Sequence, residues 1–102
     1  MRETKENLRK AILGKCDSVS QALRSLSHPV RLKVLCFVMD GEKSVNELTA
    51  FCGISQSAMS QFLSRMRLEK ILDSRREGTH VYYKIADANI VQLLKAIKEI
   101  YC

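Results

Sequence analysis

The chain has 102 residues, of which 46% are apolar and 27% charged, and it carries a formal net charge of +6. That length suits one domain, the composition excludes wholesale disorder, and a single core of this size leaves no room for a large enclosed substrate cavity. No apolar run approaches the ~20 residues that span a bilayer. The charged start, Met1 to Asn7, does not read as a secretory leader, so a cytoplasmic chain with no membrane partner is expected.

In chain order, residues 3–26 read as helix, with a break near Gly14 and a loose stripe of Leu8, Ile12, Val19, Leu23 and Leu26. Ser27-His28-Pro29 ends it. Pro29 suits the first position of a second helix, because its missing N–H would be unpaired there anyway, and His28 reads as a helix-start residue. The second helix runs to about Asp40, where Gly41 stops it. Leu32, Leu35, Cys36 and Met39 repeat at helical spacing and are expected to form its buried face. Ser44-Val45-Asn46-Glu47 is a capping-box pattern that starts a third, short helix reaching about Phe51. Cys52-Gly53-Ile54 forms a tight turn, and Ser55 caps a fourth helix to about Lys70.

The period then changes. Val81, Tyr83 and Ile85 alternate with Tyr82 and Lys84 as a strand. Ile71 to Arg75 is its expected partner, and Arg76-Glu77-Gly78-Thr79 the hairpin tip. Asp87 caps a last helix whose Ile90, Val91, Leu93, Leu94, Ile97, Ile100 and Tyr101 are apolar over more than one stripe. One small domain cannot cover that much, which implies a second chain.

The fourth helix divides by face. Met59, Phe62, Leu63 and Met66 point to the core. Ser57, Ser60, Gln61 and Ser64 share the opposite face, with Gln56 near the start. Solvated helices usually carry Lys and Glu there. Short hydroxyls and an amide instead suit close approach to phosphates and base edges, since they donate and accept without bulk. Arg65, Arg67, Arg75 and Arg76 flank this face and can neutralise phosphates. His80 reads either as a DNA contact or as an exposed turn residue. A short helix, a tight turn and a longer polar-faced helix form a helix-turn-helix unit, and the hairpin after it is a wing.

The four cysteines show no Cys-x-x-Cys spacing, and the two histidines complete no zinc-finger pattern. Cys16 and Cys52 are expected as small buried hydrophobes. No nucleophile–base pair and no glycine-rich phosphate loop is present, so neither an enzyme nor a cofactor is expected.

Over residues 19–102 the chain resembles the ArsR/SmtB family of winged-helix repressors. The resemblance rests on Leu26-Ser27-His28-Pro29-Val30-Arg31-Leu32-Lys33-Val34-Leu35, on Ser44 to Leu48, on Ile54 to Leu63, on Arg75-Arg76-Glu77-Gly78 and on Val81-Tyr82-Tyr83. It implies the order α-α-α-α-β-β-α, mainly α with a β-hairpin wing. Segments 1–26 and 86–102 would be dimerisation helices of a homodimer, 44–70 the helix-turn-helix and 71–85 the wing. It also implies double-stranded DNA as partner, read as an inverted repeat by the fourth helix. Phe62 departs from the family, whose members often carry His there.

Neither common metal site of the family is present. Ser44-Val45-Asn46 replaces a Cys-Val-Cys motif, and Asp87 is followed by Asn89 with no later His. The chain instead resembles the family's thiol sensors (BigR, SqrR and HlyU type) in Leu35-Cys36-Phe37-Val38-Met39-Asp40 and Ile100-Tyr101-Cys102. That resemblance implies a disulfide or polysulfide bridge between Cys36 and Cys102, formed on exposure to reactive sulfur species or oxidants. The alternatives are two buried apolar cysteines, a metal sensor built from an unusual thiolate set such as Cys16, Cys36 and Cys102, and a winged-helix interaction module with no effector site.

Overall fold

The structure is a computed structural model that describes residues 3–102; Met1 and Arg2, the start of the 1–26 segment, lie outside the described residues. The elements are α1 (Lys5–Leu13), α2 (Cys16–Ser25), α3 (Pro29–Val38), β1 (Lys43–Ser44), α4 (Val45–Cys52), α5 (Gln56–Leu68), β2 (Leu72–Glu77), β3 (His80–Ile85) and α6 (Ala88–Tyr101). Among the described residues no helix is long and apolar enough to cross a membrane.

Local chemistry sets most boundaries. The Thr4 hydroxyl accepts from the Asn7 N–H and starts α1, and the chain breaks after Gly14 to restart as α2. His28 caps α3 by accepting the Val30 N–H on Nδ1 at 3.0 Å, with Pro29 next. Ser44 and Glu47 form both halves of a capping box at 3.1 and 3.0 Å. Ser55 caps α5 and Asp87 caps α6. Glu47 is held below the ordinary carboxylate range by the Ser44 N–H and hydroxyl.

The core lies between α3, α4, α5, the inner face of the sheet and α6. Val34, Leu35, Leu48, Met59, Leu63, Met66 and Ile90 are fully buried in it. Here the expected face of the second helix is corrected. Its buried residues are Arg31, Val34, Leu35 and Val38, whereas Cys36 and Met39 are exposed and Leu32 is half-buried. The sequence from Leu32 to Met39 is apolar on nearly every side apart from Lys33. Helical spacing therefore admits two stripes, and packing against α4 and β3 selects the other one.

The sheet has the order β1-β3-β2. The two-residue β1 was not expected; it pairs Lys43 with Tyr83 and Ser44 with Tyr82. A strand that short shows no alternation. The hairpin is also longer than expected, with β2 and β3 pairing from Leu72↔Ile85 to Glu77↔His80. Arg76 and Glu77 are thus strand residues, and the turn is only Gly78 and Thr79, with Gly78 at φ 62. In α6, Ile90 and Leu94 are buried, while Ile100 and Tyr101 stay 73% and 80% exposed.

Candidate nucleic-acid interface

The helix-turn-helix is α4, a turn and α5. Gly53 closes the turn at φ 67, and its N–H donates to the Thr49 carbonyl at 3.0 Å. A side chain at that φ would be strained, so the bend between the helices depends on this glycine. Met59, Leu63 and Met66 are fully buried beneath α5, as expected. Phe62 is half-buried at the edge, tilted against the His28 ring with centroids 4.9 Å apart.

Two further contacts seat α5. Arg31 Nη1–H donates to Glu69 Oε1 at 2.9 Å, and Nη2–H to Oε2 at 3.2 Å. The Arg31 side chain is only 10% exposed, so this forked pair joins the start of α3 to the end of α5 in a mostly dry setting. Beyond Glu69, the N–H of Ile71 donates to the Met66 carbonyl and that of Lys70 to Arg67, a Schellman closure with Lys70 at φ 63. Sequence reading missed Arg31 and Glu69 as positioning residues. The available signal was an arginine in register with Val34, Leu35 and Val38 on one helical face.

The exposed side of α5 carries Gln56, Ser57, Ser60, Gln61 and Ser64, with Arg65 and Arg67 in its last turn. No acidic residue occurs in α5. Ser60, Gln61, Ser64 and Arg65 also line an open cleft of about 810 Å³ whose other lining includes Gln21 of α2 and the Arg31–Glu69 pair.

The wing separates the two arginines that were grouped together in the sequence. Side chains alternate along a strand. Leu72, Ser74 and Arg76 share the inner face that continues the core, and Asp73, Arg75 and Glu77 share the outer one. On the outer face the Arg75 Nε–H donates to Glu42 Oε1 and Oε2 at 2.9 and 3.0 Å, and Nη2–H donates to Glu42 as well. Nη1–H donates to Glu77 at 3.1 Å, and the guanidinium lies 4.6 Å from the Tyr82 ring centre. These bonds hold Glu42 below the ordinary carboxylate range and raise Arg75 further. His80, opposite Glu77, is exposed on this outer face near the tip, its ring 6.3 Å from Tyr82.

Cys36 on α3 and Cys102 at the end of α6 are both exposed with free thiols. Cys52 is buried as expected, and burial pushes its thiol up. Cys16 is not the buried hydrophobe that was expected. It begins α2, a helix that buries only Ser25, and it is exposed. Among the described residues no group of three or more His, Cys, Asp or Glu side chains is placed to hold a metal ion.

Comparison with known proteins agrees with this architecture. Residues 28–74 match the family described as bacterial regulatory protein, arsR family. The chain is 36% identical over 99 residues to the biofilm growth-associated repressor of Xylella fastidiosa (strain Temecula1 / ATCC 700964), covering 97% of this chain and 83% of that protein. It superposes on the crystal structure of the transcriptional repressor BigR from Xylella fastidiosa with a TM-score of 0.84 and 36% identity, covering 98% of both chains. It is also similar to reduced HlyU from Vibrio cholerae N16961, with a TM-score of 0.82 and 27% identity over 91% of this chain and 98% of that one.

Proposed function

The chain belongs to the ArsR family of bacterial regulatory proteins, DNA-binding transcription regulators rather than enzymes, and we propose that it acts as a homodimeric repressor switched by Cys36 and Cys102. The observation that carries the DNA-binding half is the exposed side of α5. It presents Ser and Gln side chains, ends in two arginines, carries no carboxylate, and is held by buried packing and the Arg31–Glu69 pair. Short polar groups on a fixed helix can reach base edges in a major groove, and Arg65 and Arg67 can meet phosphates at its rim. Gln56, Ser57, Ser60, Gln61 and Ser64 are the reading set. Arg76 and His80 extend it at the wing.

Segments 1–26 and 86–102 supply the dimer contact. Two copies related by a two-fold axis would place two α5 helices on an inverted-repeat operator.

The effector is a reactive sulfur species or an oxidant. Both thiols are exposed, and they sit on separate helices, so a bond between them would tie α3 to the end of α6. A donor of the class R–S–SH transfers its outer sulfur to one thiolate, giving a cysteine persulfide and R–SH. The second thiolate attacks the inner sulfur, closes a disulfide and expels hydrosulfide, so the transferred sulfur is the atom reduced. With persulfides on both cysteines the same attack leaves a trisulfide. Either bridge would bias the spacing of the two reading helices, which couples two sites through one element with two arrangements.

The test is a gel shift on the duplex that the reduced protein enriches from a random-sequence library. Treatment with a sulfane-sulfur donor is expected to weaken binding at least tenfold, with mass spectrometry showing Cys36 joined to Cys102. Cys36→Ser and Cys102→Ser are expected to keep reduced-state affinity under the same treatment. Equal affinity before and after treatment of the native protein removes the switch. Binding with no salt dependence removes the DNA reading itself, since neutralised phosphates must release counterions.

A further inference from the structure

We propose that Glu42 acts as an internal counter-charge that takes Arg75 away from nucleic acid, so that of the two consecutive wing arginines only Arg76 meets a phosphate. The proposal rests on the DNA-binding reading above and concerns which wing residues carry it.

The geometry begins with sheet order. β3 lies between β1 and β2, and Ser44 of β1 and Arg75 of β2 flank the same residue, Tyr82. Glu42 lies just before β1. Arg75 therefore reaches Glu42 only by crossing Tyr82, and its guanidinium lies against that ring on the way. The contact is specific. Arg75 presents Nε–H and Nη2–H to Glu42, the fork that matches a carboxylate, and Nη1–H to Glu77. Lys84 adds attraction on Glu42 from the same face.

The charge balance follows. Two carboxylates face one guanidinium, so the outer face of the wing offers a phosphate no net positive charge at Arg75. For Arg75 to bind a phosphate, the guanidinium would have to leave both carboxylates and the ring. Arg76 differs in every respect. It lies on the inner face, in line with Leu72 and Ser74 and on the side where α5 packs, and among the described residues it makes no ion pair. Consecutive strand residues cannot share a face, so an Arg-Arg pair in a strand divides into one brace and one contact.

The test reads the slope of log affinity against log salt on the duplex selected by the native protein. One phosphate contact contributes about one unit to that slope. Arg76→Gln is expected to lower it by about one unit. Glu42→Gln is expected to steepen it by up to about one unit, because Arg75 loses its forked carboxylate partner and keeps only the single bond to the exposed Glu77, which a phosphate can displace. That gain is expected to vanish in Glu42→Gln/Arg75→Gln. A steepening that came only from the lost negative charge would persist in Glu42→Gln/Arg75→Gln, and that persistence overturns the proposal. The proposal is overturned if Glu42→Gln leaves the slope at the native value, or if Arg75→Gln alone lowers it as much as Arg76→Gln. Circular dichroism of each variant keeps misfolding distinct from either result. A native protein whose binding shows no salt slope overturns the DNA reading instead.

Discussion

Lys70 sits at φ 63, in the left-handed region, where its Cβ crowds the following carbonyl. The position closes the Schellman turn after α5, and Met66 and Ile71, the positions whose apolar side chains accompany such a turn, are both buried in the core. Glycine would take this conformation without strain. Lys70→Gly is expected to stabilise the protein by about 1 kcal/mol. The check is the urea midpoint at fixed protein concentration, which should rise with an unchanged slope; a fall would show that Lys70 gains more from its surroundings than it loses in the backbone. His28 shows the reverse relation between sequence and backbone. The His-Pro pair announced a helix start, and the structure adds the atom: Nδ1 accepts the Val30 N–H, so the cap needs an unprotonated nitrogen there. What residue-level reading could not supply is the partner across space. Nothing in the sequence marks Glu69 or Glu42; tertiary contact places each beside an arginine.

At the level of elements, α5 is set by three different forces. Burial of Met59, Leu63 and Met66 fixes its inner side. The glycine turn at Gly53 sets its approach from α4. The Arg31–Glu69 pair ties its end to the start of α3. Glu69→Ala would strand the Arg31 guanidinium in a mostly buried setting, at an expected cost of about 3 kcal/mol. Replacing both partners, as Arg31→Met/Glu69→Leu, is expected to return stability to within about 1 kcal/mol of the native protein. Denaturant unfolding of the single and double variants separates the two cases. A single variant as stable as the native protein would show that the pair does not brace α5. The span of α5, its Ser55 cap and its polar face were readable because each depends on spacing within one segment. The buried face of α3 was not, because its residues are apolar nearly all round and only the neighbours choose between two stripes. The wing's extra pairs, Arg76↔Val81 and Glu77↔His80, escaped for a related reason: charged residues are poor strand signals, yet a two-residue turn holds them in register.

The whole molecule is elongated, 52 × 27 × 20 Å, and its mass is unevenly covered. None of the residues of α1 is buried, with Leu8 at 49%, Ile12 at 47% and Leu13 at 63% exposure. Leu23 of α2 and Ile100 and Tyr101 of α6 are likewise open. An isolated helix of nine residues is marginal in water, so α1 needs an apolar partner to persist. Sedimentation equilibrium is expected to give twice the chain mass for the native protein. Ile12→Glu is expected to shift it toward single chains and to lose operator binding with it. A native protein that sediments as one chain at micromolar concentration removes the dimer from the proposed function.

The amino-acid sequence by itself determined the order of the elements apart from β1, the caps at Ser44, Ser55 and Asp87, the helix-turn-helix and its polar face, because those are consequences of periodicity and of short-range hydrogen bonding. It also placed the residues through which the chain resembles the ArsR/SmtB family. Tertiary structure alone decided which stripe of α3 is buried, that Cys16 and Cys36 are exposed, and that Arg75 and Arg76 point to opposite faces with Glu42 holding the first. The physical reason is the same in each case. Where a segment offers two compatible faces, or a charge has several possible partners, the choice belongs to whatever the rest of the chain brings within reach.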